Sequence, residues 1–374
     1  MWKQTIMALA LPLAMGSPAE GNQPEKRYAI MDNDWGMAQF APFLLALDGG
    51  MELLALASNT ANTWQPQVAK HALASLEVGN LSCIPVYAGA TWPMLHTPER
   101  FHAWEAIHGD LPWEGAFAPM NRTAEKLGSD PTSGNPNRIV EAAFKAGVPN
   151  TTVADSTNAA NFMVQMVRKY PGQVSIYSAG ALTNVALAAR MDADFASLAK
   201  ELVIMGGYVD VNMFKATGNH EVANINNDIN LMIDPEAAKI ALTADFPSIT
   251  IAGNVANQVM SSKEYLDEVY EVKNTYTELF HEYYFTDLPF WDETAAALMV
   301  DPSISKNQST VMVDVDVAYG SPDYGYLHVY DEDRAPPNVR NATYVHQVDG
   351  QKLKNMMKHA LQHPKSCADL QHSN

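Results

Sequence analysis

Two aspartates one residue apart, Asp32 and Asp34, stand at the end of an apolar run in Ile30-Met31-Asp32-Asn33-Asp34-Trp35-Gly36. Side chains alternate along a strand, so both should point the same way. Like charges held close destabilise each other unless a proton or a cation lies between them. The pair is therefore a candidate for metal or proton chemistry. The same residues also read as turn or N-cap aspartates, common where a strand gives way to a helix. Other segments also place polar side chains or free backbone at the end of an apolar run. They are residues 59–62, Ala181-Leu182-Thr183-Asn184 and the Asn-rich stretch after Met205, while Trp291-Asp292 opens a late helix. Convergent oxygens of this kind suit a hard cation such as calcium, which takes carboxylate and carbonyl ligands alike. The absence of a nearby His/Cys cluster argues against zinc.

The elements that must position these residues alternate. Short apolar strands are predicted over 28–31, 53–57, 84–87, 174–177, 202–205 and 249–252. Helices are predicted over 40–47, 65–77, 139–144, 159–168, 184–189, 235–242, most of 263–284, and 293–299 capped by Asp292. Asp234 before Pro235 reads as a helix cap only. Late strands are predicted over 311–317, 325–329 and 342–345. Such alternation indicates α/β architecture, an open and mainly parallel sheet covered on both faces. Ligands bind at the carboxyl ends of strands in such sheets. Residues 89–137 and 206–227 lack a clear period, and long loops of this kind usually cover or serve a site. One domain over 27–365 is the simplest organisation.

The formal net charge of -18 excludes nucleic acid and anionic membrane as partners, since phosphate binding needs basic surface. Apolar residues make up 47 % of the chain, enough for a large core. Residues 1–19 read as a secretory signal, with Lys3 ahead of an apolar run too short to span a bilayer. Sequons begin at Asn80, Asn121, Asn150, Asn307 and Asn341, as in a secreted glycoprotein. Cys83 and Cys367 either pair in an oxidising compartment or remain buried thiols.

Taken in order, Met31-Asp32-Asn33-Asp34, Gly180-Ala181-Leu182-Thr183-Asn184-Val185-Ala186-Leu187-Ala188, Met205-Gly206-Gly207, Asn230-Leu231-Met232-Ile233-Asp234-Pro235-Glu236-Ala237-Ala238 and Trp291-Asp292-Glu293 carry a family resemblance. They resemble the inosine/uridine-preferring nucleoside hydrolases, in a secreted fungal-like branch. The resemblance implies a Rossmann-like sheet, calcium at the strand rim, and hydrolysis of ribonucleosides to free base and ribose. It implies that Asp34 binds calcium and serves as general base, that Thr183 offers its carbonyl and Asp292 its carboxylate to the metal, and that Asp32 supports the site from behind. Asn62, or alternatively Asn59, would hold the ribose together with Asn219, Asp228 and Asn230. The expected partner is a small nucleoside, and a homo-oligomer is compatible with the family.

The chain departs from the family pattern at four positions. Two further aspartates usually follow the first motif, and here those positions are Ala38 and Gln39. Gln39 can still give calcium a neutral oxygen; Ala38 can give nothing. Asp228 stands where glutamate is usual. Trp291 replaces a histidine that helps the base leave, and can stack but not protonate. His220, His281, Tyr283 and Tyr284 are candidates for the missing acid, and His108-Gly109 resembles a His-Gly element of the family. Loss of two aspartates also raises a pseudoenzyme that binds a nucleoside or sugar without turnover, and other N-ribosyl compounds are alternative substrates. Because Gln39 removes one negative charge, Gln39→Asp should tighten calcium binding measured by calorimetry. No calcium binding in either protein would count against a metal-centred site.

Overall fold

The structure, a computed structural model, describes residues 26–111, 114–118, 123, 145–209 and 228–371. The signal segment, the helix expected over 139–144, Asn121, Asn219 and His220 lie outside the described residues. Strands β1 (Tyr28–Asn33), β2 (Glu52–Ser58), β3 (Val86–Ala88), β4 (Val174–Ala179), β5 (Glu201–Met205), β6 (Ile249–Ala252), β7 (Ser305–Val315), β8 (Leu327–Tyr330) and β9 (Arg340–Val348) form a 9-stranded sheet. Its order is β3-β2-β1-β4-β5-β6-β9-β7-β8. Pairing is parallel from β3 across to β9; β7 and β8 close that end antiparallel.

Alternation along each strand divides the core in two. Met31, Val203 and Met205 pack on one face, with Phe43 and Leu44 of helix Ala41–Asp48 and Met299 of helix Trp291–Val300. Ile30, Leu202 and Ile204 pack on the other, with Phe162, Val185 and Leu242. Strands covered on both faces read as continuous apolar runs, which is why they were visible by composition. The sheet is built outward from β1, to β2 and β3 on one side and to β4, β5 and β6 on the other. The strand order reverses between β1 and β4, the point where ligands bind in sheets of this kind. The carboxyl ends of β1 and β4 flank it, and Asp34 N–H continues their ladder by donating to Ala179 O at 3.2 Å.

Several expectations need correction. β1 runs to Asn33, so Asp32 lies inside the strand, opposite Ala57 and Ser178. A helix, Pro98–His108, occupies part of the stretch that shows no period. It buries only Phe101, Trp104 and Glu105, too few to produce an apolar stripe, although Thr97 caps it and Pro98 opens it. Helix Gly350–Gln362 was also unforeseen and buries Leu353, Met357, Ala360 and Leu361. The expected helix over 263–284 is two, Lys263–Val269 and Thr275–Tyr283, because Asn274 starts the second with a capping box. Asp292 is not a cap: its helix begins at Trp291, with Phe290 at the cap position and no side-chain cap.

Cys83 and Cys367 form a disulfide across 284 residues of sequence. It ties helix Cys367–Gln371 to the turn after helix Gln65–Val78, where Cys367 N–H also donates to Asn80 O at 3.0 Å. Closing so long a loop restricts the unfolded chain, an effect of about 2–5 kcal/mol. Cys83→Ser should lower the melting temperature by several degrees in calorimetry, and reductant should lower it in the wild type but not in the variant.

Candidate active site

Asp34 leaves the end of β1 into a buried position with 4 % of its surface exposed. Its Oδ2 accepts from Asn62 N–H at 3.0 Å, and its backbone carbonyl accepts from Asn62 Nδ2 at 3.2 Å. Asn62 Nδ2 also donates to Gln39 Oε1 at 3.3 Å, so Asp34, Gln39 and Asn62 form one cluster. Asp292 arrives from the first turn of helix Trp291–Val300. Its Oδ2 accepts from Asn33 Nδ2 at 3.1 Å, and its backbone oxygen accepts from the Tyr177 hydroxyl at 3.0 Å. Burial pushes the Asp34 carboxyl well above the usual range, and the Asp292 charge pushes it further. Burial raises Asp292 to about 6. The two carboxylates therefore share one low-dielectric region, although 258 residues separate them in sequence.

Asp32 turns to other partners. It accepts from Asn184 Nδ2 at 2.9 Å and from Ser178 Oγ at 3.4 Å. Burial raises it to about 7, against the hydrogen bonds from Asn184 and Ser178. The expected shared direction of Asp32 and Asp34 thus gives way to separate partner sets, because Asp34 lies past the strand, where the pleat no longer dictates direction. Thr183, first residue of helix Thr183–Met191, donates through Oγ1 to Asp234 Oδ2 at 2.6 Å. Asp234 was expected only to cap. It does cap, accepting from Ala237 N–H at 3.2 Å, but Met94 N–H also donates to it at 2.8 Å. It therefore joins Thr183 to the loop after β3.

Asp228 and Asn230 sit beneath the end of β5. Asp228 accepts from Gly207 N–H and, at 2.9 Å, from Asn230 N–H; burial raises it to about 6. Asn230 Nδ2 donates to Met205 O at 3.1 Å. The turn needs glycine: Gly206 and Gly207 have φ of +134° and +81°, and a Cβ on Gly206 would lie 2.9 Å from Asp228 Oδ2. Trp291 is half-buried and donates from Nε1 to Asn257 Oδ1 at 2.7 Å.

Of the acids considered for the leaving base, His281 pairs with Asp267 at 2.8 Å and stacks on Tyr270, so its imidazole is engaged between the two helices of 263–283 and not with the carboxylates. Tyr283 has Lys145 over its ring. Tyr284 donates to Glu293 at 2.8 Å. His108 ends helix Pro98–His108 with its ring on Trp104. Sequence reasoning missed Asn33, Tyr208 and Asn257 as individual residues. Asn33 lay inside the first motif and Tyr208 directly after Met205-Gly206-Gly207, so adjacency was the available signal. Asn257 had none.

The donor set fits a hard cation. Among the described residues no three His, Cys, Asp and Glu side chains gather as a metal cluster. The oxygens on offer are two carboxylates, Asp34 and Asp292, with the Gln39 amide and nearby backbone carbonyls. Asn33 Oδ1 is buried with no hydrogen-bond partner among the described residues. Carboxylates of like sign, at least one of them buried, beside an undonated carbonyl oxygen are what a hard oxygen-seeking cation satisfies.

Comparison with known proteins identifies the class. The profile of the inosine-uridine preferring nucleoside hydrolases matches residues 29–355. The chain belongs to this family of N-glycosyl hydrolases. It is 35 % identical over 283 residues to an uncharacterized protein of Schizosaccharomyces pombe, covering 71 % of this chain and 68 % of that one. It is 25 % identical to the inosine-uridine preferring nucleoside hydrolase of Crithidia fasciculata, over 77 % and 82 % of the two chains. The fold is that of a plant nucleoside hydrolase at a TM-score of 0.67 and 22 % identity, covering 90 % of this chain and 99 % of the other.

The raised carboxyls give a sign to pH dependence. Asp32 at about 7 and Glu293, raised by burial to about 8, keep protons in the fold that the unfolded chain has already lost. Their contribution is lost as pH rises through those values. His96, pushed down to about 4 by burial, acts only below its ordinary 6.5. In chelator, the melting temperature should therefore fall between about pH 6.5 and 8.5. Added calcium should restore most at the upper end, and a flat profile without calcium would contradict the burial of these groups.

Proposed function

We propose that the protein hydrolyses the N-glycosidic bond of ribonucleosides, releasing free base and ribose, in a calcium-dependent reaction where β1 and β4 end. The observation that carries this reading is the pairing of buried Asp34 with half-buried Asp292 at the carboxyl ends of β1 and β4, with Asn62 bound to Asp34, in a chain of this family. Asp34, Asp292, Gln39 Oε1 and the Thr183 carbonyl would hold the ion. When bound, such an ion lowers the pKa of water and offsets negative charge.

Asp34 is the general base. Its raised proton affinity and the Asn62 N–H on Oδ2 make it a fixed acceptor for a proton from the attacking water. The water oxygen adds to the anomeric carbon as the carbon–nitrogen bond breaks. The base leaves with the bonding pair and takes up a proton. Carboxylates around the sugar stabilise the positive charge that develops there. No covalent sugar intermediate is needed, in contrast to retaining glycosidases. Asn62, Asp228 and Asn230 bind the ribose hydroxyls, with Asn219 from outside the described residues. Asp32 holds the strand end from behind, and Trp291 stacks on the base. The signal segment, the sequons and the disulfide support a secreted glycoprotein that salvages nucleosides, a setting consistent with a fungal-like branch of the family.

One feature favours a second reading, binding without turnover. Ala38 holds φ +58° beside Gln39, so the short loop after β1 carries no carboxylate beyond Asp34. A reducing-sugar assay over purine and pyrimidine nucleosides, with calcium and with chelator, separates the two. Sugar release should require calcium, and Asp34→Ala should reduce it by at least about a hundredfold while circular dichroism stays native. Nucleoside binding without sugar release would leave the second reading standing.

A further inference from the structure

The side of the site formed by Trp291 is held by a residue the reaction does not use. Asn257 ends the short 3-10 helix Asn254–Asn257 that follows β6. Its Oδ1 accepts from Trp291 Nε1 at 2.7 Å and from the Tyr208 hydroxyl at 3.3 Å. An indole nitrogen can only donate, so the amide orientation is forced: the atom facing both rings is the carbonyl oxygen. Tyr208 is buried to 7 % exposure, packed in the core beside the end of β5 with Met205 and Ala252. The segment carrying Asn257 is itself anchored, since Asn254 Oδ1 accepts from the Tyr344 hydroxyl at 2.7 Å and from Val209 N–H at 3.0 Å.

We infer that Asn257 is a positioning residue that locks Trp291 and Tyr208 into one aromatic wall with both polar hydrogens already committed. Of the two rings only half-buried Trp291 can meet a ligand, and, held in this way, it offers a ring face and no free polar hydrogen. This rests on the nucleoside-hydrolase reading above and goes beyond it by assigning what holds Trp291 in place.

The test compares wild type, Asn257→Leu, Asn257→Asp, Trp291→Phe and the double variant Asn257→Leu/Trp291→Phe, with inosine and uridine as probes. Asn257→Leu keeps the volume but removes the acceptor. KM should rise about three- to tenfold for both nucleosides, the scale of one aromatic contact, with kcat little changed. Asn257→Asp keeps an acceptor and should restore KM. In the Trp291→Phe background, which has no indole N–H, Asn257→Leu should add much less. An unchanged KM in Asn257→Leu, a rise for one nucleoside only, or equal effects in both backgrounds would overturn the inference. If wild type releases no sugar, the hydrolase reading fails separately, and the same pattern must then appear in calorimetric Kd values. Absence of binding as well would overturn both.

Discussion

Two carboxylates of like charge, buried Asp34 and half-buried Asp292, held near each other, are the constraint on which the rest of the site depends. Such an arrangement costs stability unless each oxygen is met. Asn62 meets Asp34, Asn33 meets Asp292, and Tyr177 fixes the backbone of Asp292. These partners come from three strands and their loops, so the sheet must be assembled before the pair can exist. Stability given up there is retained as readiness for a cation and a water, which is the economy expected of a hydrolytic site.

A second tier of polar contacts explains why the rim is rigid. Asn184 reaches Asp32, Ser58 O and Ala90 N–H, joining β1, β2 and the loop after β3. That convergence leaves no room at Gly89, where a Cβ would lie 2.2 Å from both Ser58 O and Asn184 Nδ2. Asp234 performs the parallel task for Thr183 and Met94. Where such buried contacts are satisfied they favour one arrangement over others. The covering loop is therefore built into the same network that holds the strand ends.

Three residues where the chain departs from the pattern expected of its family, Ala38, Gln39 and Trp291, lie outside this supporting tier. Ala38 occupies a left-handed backbone position that Asn and Asp tolerate better than Ala. Gln39 supplies an oxygen without charge and is steadied by Asn62. Trp291 brings a ring where a proton donor is usual, and its only polar hydrogen is taken by Asn257.

Much of the architecture was legible in the chain. Strands buried on both faces are apolar throughout, so β1, β2, β4, β5 and β6 stood out, and short polar motifs at their ends marked the rim. Helix Pro98–His108 was hidden because it buries few side chains, and the capping role assigned to Asp292 failed because local spacing cannot tell a capping carboxylate from one aimed at the strand ends. What the tertiary structure decided was partnership: Asn33 with Asp292, Thr183 with Asp234, Trp291 and Tyr208 with Asn257, and His281 with Asp267 in place of the site. Periodicity reports which face of an element is buried. Which residues then meet across 14 to 259 positions of sequence is set by strand order, register and crossover, and these arise only when the whole sheet closes.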